Sequence, residues 1–424
     1  MHAEKLKLVL CWHMHQPHYR DGQDGQYRLP WVYLHAIKDY TDMVAHLEAM
    51  PEARVVVNFA PLLLEQLTDY VRQLRQWLDH GQPMQDNMLN MLAGVVPVPA
   101  DVGQRTKLLQ DCQRAHPPTM ILPHAEFQGL LDVCQPMLHH AAMAGQGLMF
   151  LNEQFFLDLL VWYHLAWMGA SVHQRDARVG KLMDRARGFA ASDRRMLLEV
   201  IHDAMQDIIP RYRALHEQGQ IELSTTPYGH PIVPLLLDFD SMADAQPEAP
   251  RPEHTGYPGG LERARWHMDK GLQVFAEHFG GRPRGIWLSE GAVSTDAVAL
   301  LEEYGIQWTA SGQGVWYKSC QLSGLNESMT CNRALYRPAQ LDKISCKVFF
   351  RDDGLSDLIG FQYKDWHADD AARDFCQNLV NIANYLGDTV QDHVVTVILD
   401  GENAWEYYPN NAHYFLTALY RALS

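Results

Sequence analysis

Seven times along the chain, a short run rich in Val, Ile or Leu ends abruptly in polar residues. The runs are "LKLVLCW" (6–12), "RVVVNF" (54–59), "GQIELST" (219–225), "RGIWLSE" (284–290), "IQWTAS" (306–311), "CKVFFRD" (346–352) and "VVTVILD" (394–400). Continuous apolar runs suit strands buried on both faces, as in parallel sheets. Helical patterns lie between them. Those at 261–280 and 294–305 each stop at Gly, and the second opens on Ser294 and Thr295, residue types that cap helix N-termini. The pattern repeats at 369–387. The stretch 61–218 reads as mostly helical, clearest at 153–169 and 193–219 and loop-like at 94–103 and 115–124.

Alternating strands and helices predict an α/β fold with a parallel sheet. An open nucleotide-binding sheet would carry a G-x-G-x-x-G or a P-loop after its first strand, and neither is there. Polar residues follow every run instead, as in barrels whose site is built from all the strand C-termini. The segment 238–260 reads as a long loop over that site rather than a domain boundary.

Composition narrows the function. A formal net charge of −16 argues against nucleic acid, whose partners concentrate Lys and Arg. No window holds the roughly 18 apolar residues of a membrane span. The opening "MHAEKLKLVLCWHMHQP" does not read as a signal peptide. The seven cysteines are odd in number and contain no C-x-x-C, so the expectation is reduced thiols in a cytoplasmic protein.

The strand ends carry the chemistry. They present His13, His15, Gln16 and Pro17, then Asn58, then Thr225, Thr226, Tyr228 and His230. Trp287 and Glu290, Ser311 and Gln313, Arg351, Asp352 and Asp353, and finally Asp400 and Glu402 follow. Carboxylates at two strand ends beside Trp287, Trp405, Tyr407 and Tyr408 suit glycoside chemistry. A retaining enzyme needs two carboxyl groups about 5 Å apart, one as nucleophile and one as acid and then base. Trp405 is a candidate sugar platform, with core packing as the alternative. Glu402 and Glu406, four apart, read as decoration of a helix start. His13 and His15 lie on the same side of an extended strand end. With Asp353 or Asp400 they give a rival reading, a metal-dependent carbohydrate hydrolase or deacetylase. A non-catalytic glucan-binding protein is the third.

Taken together, "HMHQP", "STTPYGHPIVPLL", "GIWLSEGAVS" and "VILDGENAWEYY" resemble the ordered regions of glycoside hydrolase family 57, most of all its amylopullulanase-type members. "VVVNFAPLLLEQL" and "FFRDDGLSDLIGF" add to the likeness, which runs from about residue 8 to about 421. The resemblance implies an incomplete (β/α)7 barrel over 1–424. It would carry a mostly helical insertion at 61–218 between the second and third strands, and a last strand plus closing helix at 388–424. It implies retaining cleavage or transfer of α-glucosidic bonds in an α-glucan oligo- or polysaccharide, without a cofactor or metal. By position in the motifs, Glu290 would be the nucleophile and Asp400 the acid/base. His13, His15, His230 and Trp287 would line the first sugar subsite, with Gln16, Asp353 and Trp405 as further contacts. Arg351 or a nearby His is expected to supply donors to Glu290.

The chain departs from the family pattern in two places. It reads "WLSEG" where many relatives carry Pro, and it ends at Ser424 where many continue into a helical domain. The expectation is either a short form or a cleft wall built from 61–218.

Overall fold

The computed structural model describes residues 6–139, 146–325 and 329–424. Among the described residues there are seven strands: β1 (Lys7–Met14), β2 (Val55–Phe59), β3 (Ile221–Thr225), β4 (Trp308–Gly312), β5 (Ala339–Gln340), β6 (Lys347–Arg351) and β7 (Val394–Asp400). The sheet order is β3-β2-β1-β7-β6-β4, with every neighbour parallel, and β5 adds antiparallel to β6.

The run at 284–290 was expected to be a full strand and is not. It touches both sheet edges through isolated bridges, Thr225 with Ile286 and Gly285 with Trp308. The Trp287 amide donates to the Thr225 carbonyl (3.0 Å) and the Ile286 amide to the Trp308 carbonyl (3.1 Å). The Trp308 indole explains the interruption. It lies so close across Gly285 that a Cβ there would sit 1.8 Å from the ring, and Pro283 just before lacks an amide proton. This short segment curls the sheet round until β3 and β4 nearly meet, and the result is an incomplete (β/α)7 barrel.

Side-chain alternation sorts the strands into two faces. Leu10, Trp12, Met14, Val55, Val57, Phe59, Val395 and Val397 point outward into the large helical core. Cys11, Val56, Phe349, Ala310 and Ile398 form a thin inner layer inside the barrel. Two residues further along each strand, the inner face reaches the C-terminal rim.

Between β2 and β3 the chain runs through helices that include Pro61–His80, Glu153–Trp167, Ala191–Gln206 and Ile208–Glu217. The last two were expected as one helix. Pro210 divides them, because it has no amide proton and its ring would strike the carbonyl four residues back, at Gln206. The helices expected near 261–280, 294–305 and 369–387 appear as Gly260–Phe279, Thr295–Glu303 and Ala368–Leu386. Ser294 caps the second by accepting from the Ala297 amide (3.2 Å). The final helix, His413–Leu423, buries Phe415, Leu416 and Leu419, and its Tyr420 hydroxyl accepts from the Trp12 indole (3.0 Å).

Cys320 and Cys331 form a disulfide, which overturns the expectation of reduced thiols for that pair. The helices Gln313–Leu322 and Met329–Ala334 bring them together. A count of cysteines cannot register such a local hairpin. Among the described residues, no helix is long and apolar enough to cross a membrane.

Candidate active site

Strand register builds one side of the site. His13 of β1 lies opposite Asn58 of β2 and Asp400 of β7, and Asn58 lies opposite Ser224 of β3. Ser224, Asn58, His13 and Asp400 therefore stand in one row across four strands, each neighbour about 4.8 Å away. They sit two residues above the inner layer of Cys11, Val56 and Ile398. The Asn58 amide ties the row together. Its nitrogen donates to the Ser224 hydroxyl and the Thr225 carbonyl, both at 2.8 Å, which leaves its oxygen to face His13 Nδ1 at 2.7 Å. His13 must then carry its proton on Nδ1 and present Nε2 as an acceptor.

The other side is held by irregular chain. After β3, Gly229 and His230 both adopt left-handed backbone (φ 74° and 54°). Glu290 is also left-handed (φ 58°, ψ 16°), followed by Gly291 at φ 65°. Ser311 of β4 fastens that turn by donating its hydroxyl to the Gly291 carbonyl (2.6 Å). A non-glycine residue in this conformation costs about 1–2 kcal/mol, and such residues cluster at functional sites. These two face each other: His230 Nδ1 is 3.9 Å from Glu290 Oε1.

Three imidazoles fill the space between the two sides. His15 stacks on His230 with ring centres 4.2 Å apart, and His13 stacks on both at 5.5 and 5.4 Å. Trp287 is tilted against His13 at 6.4 Å. Burial pushes the His13 pKa down to about 4 and that of His230 to about 3, each helped by the neighbouring imidazoles. Burial lowers His15 as well, against the opposing pull of Asp400. All three are neutral near pH 7. The close approach of the neutral His230 to Glu290 is therefore not a salt bridge. Stacked rings offer faces to one another rather than lone pairs to one point, which disfavours a shared metal. Among the described residues, no group of three or more His, Cys, Asp or Glu is arranged to hold an ion.

Glu290 is exposed, with 75% of its side chain open to solvent. Asp400 is exposed too, and Asn403 donates to its Oδ2 (2.9 Å). Asp400 lies opposite His13 in the strand register and acts electrostatically on His15, His230 and Glu402, and Glu290 faces His230.

Other sequence candidates fall elsewhere. Trp405 is fully buried against Trp12 (ring centres 5.7 Å) and donates to the Gly401 carbonyl (2.8 Å), so it is core and has no face free for a sugar. Gln16 is buried, with its amide engaged by Glu402 and Tyr19. Arg351 turns away from Glu290 to meet Asp357 (2.8 Å) and Asp353 (3.4 Å). Asp353 is half-buried at the end of β6, and burial raises its pKa. Two residues that composition and spacing undervalued are Asn58, the hub of the row, and Glu402, which is 1% exposed rather than decorating a helix. The residues around Glu402 carry the missed signal: Gly401 and Trp405 flank it, and a Cβ on Gly401 would sit 2.1 Å from Met14 Sδ, so the chain here is pressed into the core. A cavity of about 640 Å³ among Arg54, Glu222 and Arg284 opens at the opposite ends of the strands and holds none of these residues.

Comparison with known proteins agrees with this architecture. The 1,4-alpha-glucan branching enzyme of Thermococcus kodakarensis is 27% identical over 117 residues, a segment that is 28% of this chain and 14% of that enzyme. The GH57-type branching enzyme of Pyrococcus horikoshii superposes with a TM-score of 0.51 at 15% identity, covering 98% of this chain and 67% of that one. The alpha-amylase AmyC of Thermotoga maritima gives 0.54 at 13% identity, covering 98% and 71%. At these identities the likeness speaks for the fold. The pattern of the family described as Glycosyl hydrolase family 57 matches residues 9–424, and the chain belongs to that family.

Proposed function

We propose that the protein is a retaining glycoside hydrolase or transglycosidase acting on α-glucans, with Glu290 as nucleophile and Asp400 as acid and base. The observation that supports this most is convergence. An acid on an irregular turn and an acid on a regular strand flank one stack of neutral imidazoles. Family membership points the same way, as do the branching-enzyme and alpha-amylase activities named for the Thermococcus, Pyrococcus and Thermotoga proteins.

In this reading the sugar ring sits over the imidazole stack. Uncharged His13, His15 and His230 accept from and donate to its hydroxyls without neutralising the nucleophile. A Glu290 oxygen attacks the anomeric carbon while Asp400 gives its proton to the departing glycosidic oxygen. The bond to that oxygen breaks and a glycosyl ester of Glu290 forms. Asp400, now ionised, takes a proton from water or from a sugar hydroxyl, which attacks the anomeric carbon and frees Glu290. Water gives hydrolysis, and a hydroxyl gives transfer.

The expected outcome for Glu290→Gln and for Asp400→Asn is a loss of at least about 10³-fold in kcat on maltooligosaccharides, with circular dichroism and Tm unchanged. Full activity in either variant defeats the assignment. Products from maltoheptaose and pullulan separate the finer activities. Chains longer than the substrate mean transfer, maltotriose from pullulan means debranching, and new α-1,6 branches mean a branching activity.

A further inference from the structure

Glu402 lies directly behind the rim and has no part in the chemistry described above. At 1% exposure it cannot reach a sugar. Its Oε1 accepts from the His15 backbone amide and from the Gln16 side-chain amide, both at 3.4 Å. Gln16 in turn accepts from the Tyr19 hydroxyl (3.2 Å). The neighbouring Gly401 amide donates to the His13 carbonyl (2.8 Å). The exit of β7 is thereby fastened to the exit of β1 at three residues, His13, His15 and Gln16, by way of their backbone or side chains, with Glu402 making two of the ties.

We propose that Glu402 is a positioning residue, a carboxyl that fixes His15 against His230 and holds the β1 exit in register with Asp400. The inference rests on the α-glucan reading of the same site. Three observations fix the form of the group. No Lys, Arg or His forms an ion pair with it among the described residues. Its Oε2 is buried without a hydrogen-bond partner. The nearby Asp39 is already taken by His35 (2.7 Å) and Lys38 (2.6 Å). An unpaired buried carboxylate is expensive, so the group holds its proton. Burial first, then Asp400 and Asp39, drive its pKa well up. A neutral carbonyl oxygen is all the β1 exit requires, since both partners are donors.

Shape and hydrogen-bond acceptance, not charge, are therefore what the site uses. Glu402→Gln retains a carbonyl oxygen at the same place and is expected to keep kcat/KM within about threefold of the parent. Glu402→Leu removes the acceptor and leaves the His15 amide and the Gln16 amide unsatisfied. Its kcat/KM on maltooligosaccharides is expected to fall about 10–100-fold, mainly in kcat, as reacting groups shift by fractions of an ångström. The histidine ring signals of His15 in the NMR spectrum should move in the Leu variant and hold in the Gln variant. A buried imidazole far from the rim, His202, should hold in both.

Parent-like turnover or an unmoved His15 signal in a folded Leu variant overturns the proposal. Loss of turnover in Glu402→Gln equal to that in Glu402→Leu also overturns it, because the carboxyl would then be acting through its proton or charge. Should the Leu variant not fold, Glu402→Asp takes its place, since one fewer methylene withdraws the acceptor and should reproduce the loss in part. If the parent chain turns over no α-glucan, the functional reading falls and the His15 signals alone judge the positioning role.

Discussion

The two halves of the site are held by opposite means. On the β1–β7 side, His13, Asn58 and Asp400 are set by ladder register, and each backbone does what any strand does. On the far side, His230 and Glu290 sit at φ 54° and 58°, where only glycine rests without strain. The first half follows from period-two alternation and needs only the correct pairing. The second is a pair of tight turns, each fixed by a neighbouring left-handed glycine and by ties such as Ser311 to Gly291. In the proposed roles, a nucleophile that must stand clear of a strand is reached more readily from a turn, and an acid that must lie in line with the histidine row is reached more readily from a strand.

The regular half is most easily broken at Asn58. Asn58→Leu keeps the size of the side chain but leaves the His13 Nδ1 proton and the Ser224 hydroxyl buried without the amide that partners them, while the Thr225 carbonyl keeps only its bond from the Trp287 amide. At about 1–3 kcal/mol for each stranded group, with partial relief by relaxation, the expected loss of stability is about 2–4 kcal/mol in denaturant unfolding. Turnover should fall with it, because His13 loses its tautomer. A loss below about 1 kcal/mol would mean that the strands, not the amide, hold the row.

The imidazole stack that joins the halves gives a pH signature. His13 and His230 have folded pKa values of about 4 and about 3, below the ordinary 6.5. The unfolded chain therefore binds more protons than the folded one between pH 6.5 and roughly 3, and stability drops as pH falls through that window. His13 alone corresponds to the order of 3 kcal/mol, since each pKa unit is about 1.4 kcal/mol. Tm followed from pH 7 to pH 4 should decline, and His13→Asn, which cannot titrate, should flatten the curve. An unchanged slope in that variant would show that the stack is not the origin of the decline.

The same contrast explains what the sequence disclosed. Runs that end in polar residues located β1, β2, β3, β4, β6 and β7 and put Asp400 and His13 at a shared rim, because burial on both faces writes a pattern into consecutive residues. The run at 284–290 carried the same pattern yet makes only two bridges, since Trp308, far off in sequence terms, lies across Gly285. The left-handed turn at Glu290 has one local sign, the glycine after it. Trp405 and Glu402 exchanged their expected roles. The indole is core and the acid is buried beside the site, because the chain after Asp400 turns inward against Met14 rather than starting a surface helix at once. Hydrophobicity marks what is buried only when the buried residue is apolar, and a protonated glutamate escapes it.

Glycine substitutions at the two acids sharpen the comparison with the smallest effect and the clearest sign. Asp400 lies in a regular strand, so Asp400→Gly adds backbone freedom to the unfolded chain and is expected to lower stability by about 0.5–1 kcal/mol. Glu290→Gly adds the same freedom but also relieves about 1–2 kcal/mol of left-handed strain. The side chain it removes is exposed and forms no salt bridge with the neutral His230 beside it. The two terms leave a net gain of about 0.5 kcal/mol, so the variant should unfold at slightly higher denaturant than the parent while losing turnover. Opposite signs at the two positions would show that strain is stored on the turn and absent from the strand. A matching loss at both would mean that the Glu290 turn is relaxed, and that its position relative to Asp400 is maintained by Ser311 and Gly291 rather than against an opposing backbone preference.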